Sequence, residues 1–348
     1  MTRIFTVVCT GDILLHQQTW KQAQIDGINN LDFQKQFEDI KPIIKNSNLA
    51  LCHLETPIAN INEHYRGYPL FNVPPQIIKA IKQVGFHMCS TASNHSFDAG
   101  PEGIKRTLDA LDREKIKHTG TYRTVEESIQ SLIMDVTTHV GLVKVGIISY
   151  TYDFNYASYI DDSIKFMANK IDIVNICNSA KKIRDAGAEV VIAKLHWGTE
   201  YTSIPNSYQL NISNKLAESE LINLIDGSHT HTVQPIQKIK NMWVMYSHGN
   251  FIAAQNEPMT TKSEGVITRW TFKELADKSF TISNIEIAPT FITHDYPIRI
   301  INICKHLTNT NVNNTNNTNV NKKRLLTAFS RTLKTIKSLN LSVIIMKH

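Results

Sequence analysis

Apolar positions along this chain fall into short β-type blocks separated by stretches of helical period. Residues 3–9, "RIFTVVC", alternate and are rich in β-branched side chains, which predicts a buried strand ending at Gly11-Asp12. "FQKQFEDIKPIIKNS" is helical in pattern and precedes a strand at "LALCHLE". "PPQIIKAIKQVG" opens on prolines and closes on a glycine, as helices do. "FHMCSTAS" predicts the next strand, and "PEGIKRTLDALDREK" a helix amphipathic through Ile104, Leu108 and Leu111. Strands at "VKVGIISY", "EVVIAKLHWG" and "LIDGSH" then alternate with helices near 170–187 and 207–224. Residues 233–251 and 264–288 read as further strands.

This alternation predicts an α/β fold, with a mostly parallel inner sheet covered by helices and a later run of strands forming a second sheet against it. The pattern breaks at 306–321, where "TNTNVNNTNNTNV" has too little apolar area to offset ordering, and a disordered linker is expected. The chain therefore divides into a main domain at 1–305, that linker, and a tail at 322–348. In the tail, Leu325, Phe329, Leu333 and Ile336 form one helical stripe among Lys and Arg. Such a basic amphipathic helix suits peripheral contact with an anionic membrane, and equally docking on another domain or subunit.

Composition narrows the class. With 348 residues, 42% hydrophobic and 20% charged, the chain has ample core and the balance of a soluble globular protein. The net charge of +6 misleads as an average. Seven of the 37 basic residues lie in 322–348, which holds no acid, so the rest sets 30 basic against 31 acidic residues. Nothing in that body asks for nucleic acid. The five cysteines, Cys9, Cys52, Cys89, Cys177 and Cys304, are scattered without a C-x-x-C pair. That argues against a disulfide framework or zinc ribbon and fits a reducing compartment. The N-terminus is too short in apolar length for a signal peptide, and no apolar run reaches 18 residues. A cytoplasmic or membrane-peripheral location is expected.

The candidate chemistry gathers at strand ends. Asp12 follows the first strand, and His53 and Glu55 close the second. Asn94, His95 and Asp98 follow the third, His196 and Glu200 a later one, and His229 and His231 stand in "DGSHTHTVQP". In an extended segment residues two apart share a face, so both imidazoles of His229 and His231 could reach one point. Open α/β sheets bind ligands beyond the carboxyl ends of their strands. Carboxylates, an amide and imidazoles without thiolate suit Mn²⁺, Fe²⁺ or Zn²⁺. They are more ligands than one ion needs; two ions about 3.5–4 Å apart, bridged by a carboxylate, would use them.

The segments "TGDILL", "HLETPI", "YPLFNVPPQIIKAIKQVGF", "TASNHSFDAGPEGIKRTLDALD", "LHWGTEY", "DGSHTHTVQPIQKI" and "YSHGNFI" together resemble the CapA/PgsA family of poly-γ-glutamate capsule-synthesis proteins, within the calcineurin-like metallophosphoesterase superfamily. The resemblance implies a four-layer αββα sandwich with two divalent ions at the sheet edge. It implies Asp12 and His231 as ligands of ion one, Glu55 as the bridge, and Asn94, His196 and His229 as ligands of ion two. It also implies His95 as a general acid, with Asp98 spaced as its partner. The superfamily's first motif, D-x-H, is broken here by Leu14. His53 stands where the family usually has Asn; it could fill that vacancy, orient Glu55, or be a core histidine bonded to backbone. His248 takes a usually apolar position and reads as structural. The implied activity is hydrolysis of a phosphoester or a γ-glutamyl amide. The alternative is a non-catalytic capsule-assembly protein that binds an anionic polymer in a metal-containing cleft.

Overall fold

A computed structural model describes residues 1–28, 30–61, 63–255, 261–294, 297–308, 320–339 and 341–346. Its strands are β1 (Ile4–Ile13), β2 (Leu49–Leu54), β3 (Met88–Ser90), β4 (Lys117–Thr119), β5 (Leu132–Thr138), β6 (Gly141–Thr151), β7 (Val190–His196), β8 (Leu224–Ser228), β9 (Ile236–Ile239), β10 (Met242–Met245), β11 (Asn250–Ile252), β12 (Glu264–Glu274), β13 (Phe280–Ile292), β14 (Ile300–Asn302) and β15 (Ile344–Ile345). One sheet runs β14-β13-β12-β1-β2-β3-β4, with β11 beside β1 and β15 beside β13; the other runs β5-β6-β7-β8-β10-β9.

Strands β1 to β4 in one sheet and β6 to β8 in the other are parallel because helices carry the chain back between them. Phe5, Val7, Leu49 and Met88 of one sheet pack with Val145, Val190, Ile192 and Leu224 of the other. The outer faces are covered by helices, through Phe37, Ile81 and Leu108 on one side and Ile176, Ile183 and Leu216 on the other. The layers are therefore helix, sheet, sheet, helix.

The late strands do not form a sheet of their own, as the pattern had suggested. β12 and β13 extend the β1 sheet as an antiparallel hairpin, and β9 and β10 finish the β8 edge. Period-2 patterning identifies a strand but not its partner. The expected helix at "FQKQFEDIKPIIKNS" is two short ones, Gln34–Phe37 and Lys41–Lys45, with Pro42 in the first turn of the second. The helix expected to reach 224 ends at Glu218, and Leu224 opens β8. The cysteines also depart from expectation at one pair. Cys52 and Cys89 are register partners on β2 and β3 and are joined by a disulfide, a neighbourhood their spacing in sequence could not reveal. Cys9 and Cys304 are free and buried.

Most of the expected linker, 309–319, lies outside the described residues; its first residues, 306–308, close the helix Ile303–Thr308. The tail forms the helix Lys322–Ile336. Its apolar stripe faces the chain's own sheet: Leu325 packs with Phe291, Ile301 and Ile303, and Ile336 joins the inter-sheet core. Arg331 pairs with Glu264 at 2.6 Å, and Arg324 stacks on Phe291. The stripe is thus covered by β12 and β13 rather than offered to a membrane, while Lys322, Lys323, Lys334 and Lys337 stay exposed. Among the described residues no helix is long and apolar enough to cross a membrane. Ile336→Ala is expected to lower stability by about 2–5 kcal/mol, the usual cost of emptying a well-packed aliphatic site. Chemical denaturation measures this; an unchanged midpoint would mean that the helix is not docked.

Candidate metal centre

The parallel strands deliver their polar ends to one edge. Asp12 is in register with His53, and His53 with Ser90. In the other sheet Thr151, His196 and Ser228 are aligned. β1 reaches this edge in close contact with the turn before β11: a Cβ on Gly11 would lie 1.8 Å from the Gly249 carbonyl oxygen.

Asp12, Glu55, Asn94, His196, His229, His231 and His53 are all buried and meet there. Asp12, Glu55 and His231 offer ligand atoms within 4.8 Å of one another, and so do Glu55, His196 and His229. Asn94 joins the second group, its amide oxygen 2.8 Å from His196 Nε2. A third group is Asp12, His53 and His196, and a fourth Glu200, His229 and His231. Neighbouring bonds aim the rings. His231 Nδ1 donates towards Asp12 and Asn250 at 3.1 and 3.0 Å, which turns Nε2 towards Glu55 at 3.8 Å. His196 Nδ1 lies on Ser228 Oγ at 3.0 Å.

His229 and His231 do converge, but not by the extended geometry expected of H-x-H. Both lie beyond β8 with left-handed backbone, φ 96° and 55°. Non-glycine residues rarely adopt φ > 0, and such strain collects at functional sites. Tyr201, also left-handed at φ 63°, donates its N–H to the Thr230 carbonyl between them and so ties the Glu200 loop to this bend.

The electrostatics divide the imidazoles of the site. Burial, with His231 close by, holds His229 down to about 3; burial also holds His53 down to about 4, against Asp12. Burial and the neighbouring His229 push His196 well below the imidazole range. His231 goes the other way, up to about 9: burial opposes, but Glu55 and Asp12 outweigh it. Burial raises Glu55 far above the carboxylate range, with Asp12 adding to it against His231. Asp12 is lowered because His231 outweighs its burial. Both oxygens of Glu55, Nε2 of His53 and Nδ1 of His229 are buried with no hydrogen-bond partner. Orphaned acceptors so close together are costly unless a cation satisfies them. The residues present therefore fit divalent metal.

His95 and Asp98 stand beside this group. His95 Nδ1 donates to Asp98 Oδ2 at 2.6 Å, and the same oxygen accepts the Phe71 N–H at 2.9 Å. His95 lines a cleft of about 360 Å³ with Tyr156, Tyr201, Glu200 and His16. Asn155, in the segment after β6, accepts from the Asn94 amide at 3.3 Å. His248 is structural, as expected: it donates to the Val266 carbonyl and pairs with Asp226, which is also bonded by the buried Lys194.

Some residues escaped the pattern. Asn250 sits in "YSHGNFI" with no telling spacing, yet it pairs with Asp12 and holds His231. Glu200 was visible at a strand end without a role; its carboxylate lies 4.0 Å from His231 Nε2. His16 has no sequence partner; only the fold brings it to the cleft.

A family model described as "Bacterial capsule synthesis protein PGA_cap" matches residues 6–255. Among curated proteins, the chain is 21% identical over 279 residues to the PGA biosynthesis protein CapA of Bacillus subtilis, covering 80% of this chain and 70% of that one. It is 24% identical over 266 residues to the capsule biosynthesis protein CapA of Bacillus anthracis, covering 74% and 62%. Among solved structures, the calcineurin-like phosphoesterase YfkN of Bacillus subtilis matches with a TM-score of 0.49 at 15% identity, covering 98% of this chain and 100% of that one.

Proposed function

Since the chain belongs to the bacterial capsule synthesis family PGA_cap, we propose that it is a metal-dependent hydrolase of phosphoester type acting in capsule-polymer synthesis. The observation that carries this is the set of buried, unpartnered acceptors on Glu55, His53 and His229. Asp12, Glu55 and His231 would hold one divalent ion, and Glu55, Asn94, His196 and His229 a second. Ions so held would supply a water of lowered pKa and would neutralise charge on the attacking and leaving oxygens. The chain's own residues do the rest. Asn250 and Asp12 fix the His231 ring by its Nδ1, and Ser228 fixes His196. Asp98 accepts the His95 Nδ1–H, and in its doubly protonated form His95 would give the Nε2 proton to the leaving group, leaving the neutral ring on Asp98. Phe71 stands edge-on to His95 at 4.8 Å and limits its rotation.

The relatives' names, PGA and capsule biosynthesis, support an anionic capsule polymer or its phosphorylated precursor as the substrate class. The test is turnover of p-nitrophenyl phosphate by protein reconstituted with Mn²⁺. Activity that is lost on chelation and restored by the metal is expected. Metal-loaded protein that turns over neither this ester nor a γ-glutamyl amide would leave the cleft a binding site for the polymer.

A further inference from the structure

We propose that His53 is a ligand of the ion held by Asp12, Glu55 and His231, in place of the imidazole that Leu14 does not provide; this rests on the two-ion reading above. Ser90 Oγ lies 3.3 Å from the Cys52 carbonyl oxygen and 2.9 Å from His53 Nδ1. A carbonyl oxygen can only accept, and we take the tautomer in which the serine proton points there and Ser90 Oγ accepts from His53 Nδ1–H. A neutral imidazole has one N–H. In that tautomer His53 Nε2 presents a bare lone pair.

That lone pair is buried and has no partner, in a residue 1% exposed. It is not aimed into apolar core. His53 is in register with Asp12 on the adjoining strand, and Asp12, His53 and His196 offer ligand atoms within 4.8 Å. The His53 and His196 rings stand 4.7 Å apart. The two other roles open to His53 fail on the same facts. Its Nδ1 is bound to a side chain rather than backbone, and neither oxygen of Glu55 accepts a hydrogen bond from it or from anything else.

Ligand counting chooses the ion. The second ion has Glu55, Asn94, His196 and His229, a full tetrahedral set, whereas the first has three residues. Glu200 is the competing fourth ligand, from the cleft side. Its side chain is 40% exposed, so water can satisfy it, and it leaves no buried atom unexplained. His53 does. Ser90 then acts as a positioning residue that fixes the tautomer, as partners of metal-bound histidines commonly do.

The test is a Mn²⁺ titration of the metal-free full chain, with free Mn²⁺ and spin-coupled ion pairs read by electron paramagnetic resonance. Wild type is expected to take two ions and show the coupled signal. His53→Leu is expected to weaken one ion by at least about tenfold, leave the other within about twofold, and lose the coupled signal where wild type shows it. Ser90→Ala, a smaller change that guards against misfolding of the leucine variant, is expected to weaken the same ion less. Glu200→Gln is expected to leave both affinities in place. Wild type taking two ions, with His53→Leu or Ser90→Ala leaving both unchanged or weakening both equally, overturns the assignment of His53 alone. A wild-type chain that takes no Mn²⁺ overturns the two-ion reading, and this one with it.

Discussion

His95→Ala is expected to keep both ions and to lose about 10²–10⁴-fold in kcat, the usual contribution of a positioned general acid. The separation of the two effects follows from geometry. His95 spends Nδ1 on Asp98 and belongs to none of the ligand groups, whereas Asn94, one residue earlier, points its amide oxygen at His196. Adjacent residues in the turn after β3 thus face different tasks. Steady-state kinetics on an alkyl phosphomonoester, whose alkoxide leaving group needs a proton, beside elemental analysis of the same sample, reads both. The loss should appear in kcat rather than KM, because proton donation is an interaction of the transition state. Leaving groups that need no proton should lose least. A His95→Ala protein that loses metal as badly as Asn94→Ala would make His95 a ligand.

The second large effect concerns Asn94 and His229. Replacing either with Ala is expected to cost metal affinity beyond the roughly 10–100-fold lost with a supporting residue. His229 Nδ1 is buried without a protein partner, so nothing in the chain competes with an ion for it. Its ring is set by Tyr152, at 4.5 Å between centroids, and by the left-handed backbone at 229. The fold should survive: these residues lie beyond strand ends, and the core clusters are built without them. Titration calorimetry with Mn²⁺, beside thermal unfolding of the metal-free proteins, checks both halves. Equal metal affinity in His229→Ala and wild type would remove His229 from the site.

What the sequence showed depended on where a residue lies relative to its strand. Asp12, His53, Glu55 and His196 sit at strand ends, where apolar period and polar terminus are read together, and they meet where those strands end. The αββα layering was legible through the resemblance, but the division of strands between sheets was not, because alternation carries no partner information. Past the last strand residue the logic changes. The same-face argument for His229 and His231 assumed extended backbone, and both residues are left-handed. Their convergence comes from a bend held by Asp12, Asn250 and Tyr201, three contacts from three distant segments. Asn250 and His16 reach the site only through tertiary pairing, which no local spacing encodes. The tail stripe was visible as helix, yet its partner, the chain's own β12 and β13, was one of several surfaces the pattern allowed.

The measurement that bears most directly on the two-ion centre is elemental analysis of the purified chain. The protein would be stripped by chelation, reconstituted separately with Mn²⁺, Fe²⁺ and Zn²⁺, and freed of unbound metal. About two ions per chain are expected with at least one of these metals, since the ligand set suits a two-metal site. A chain that retains none of the three would contradict the account.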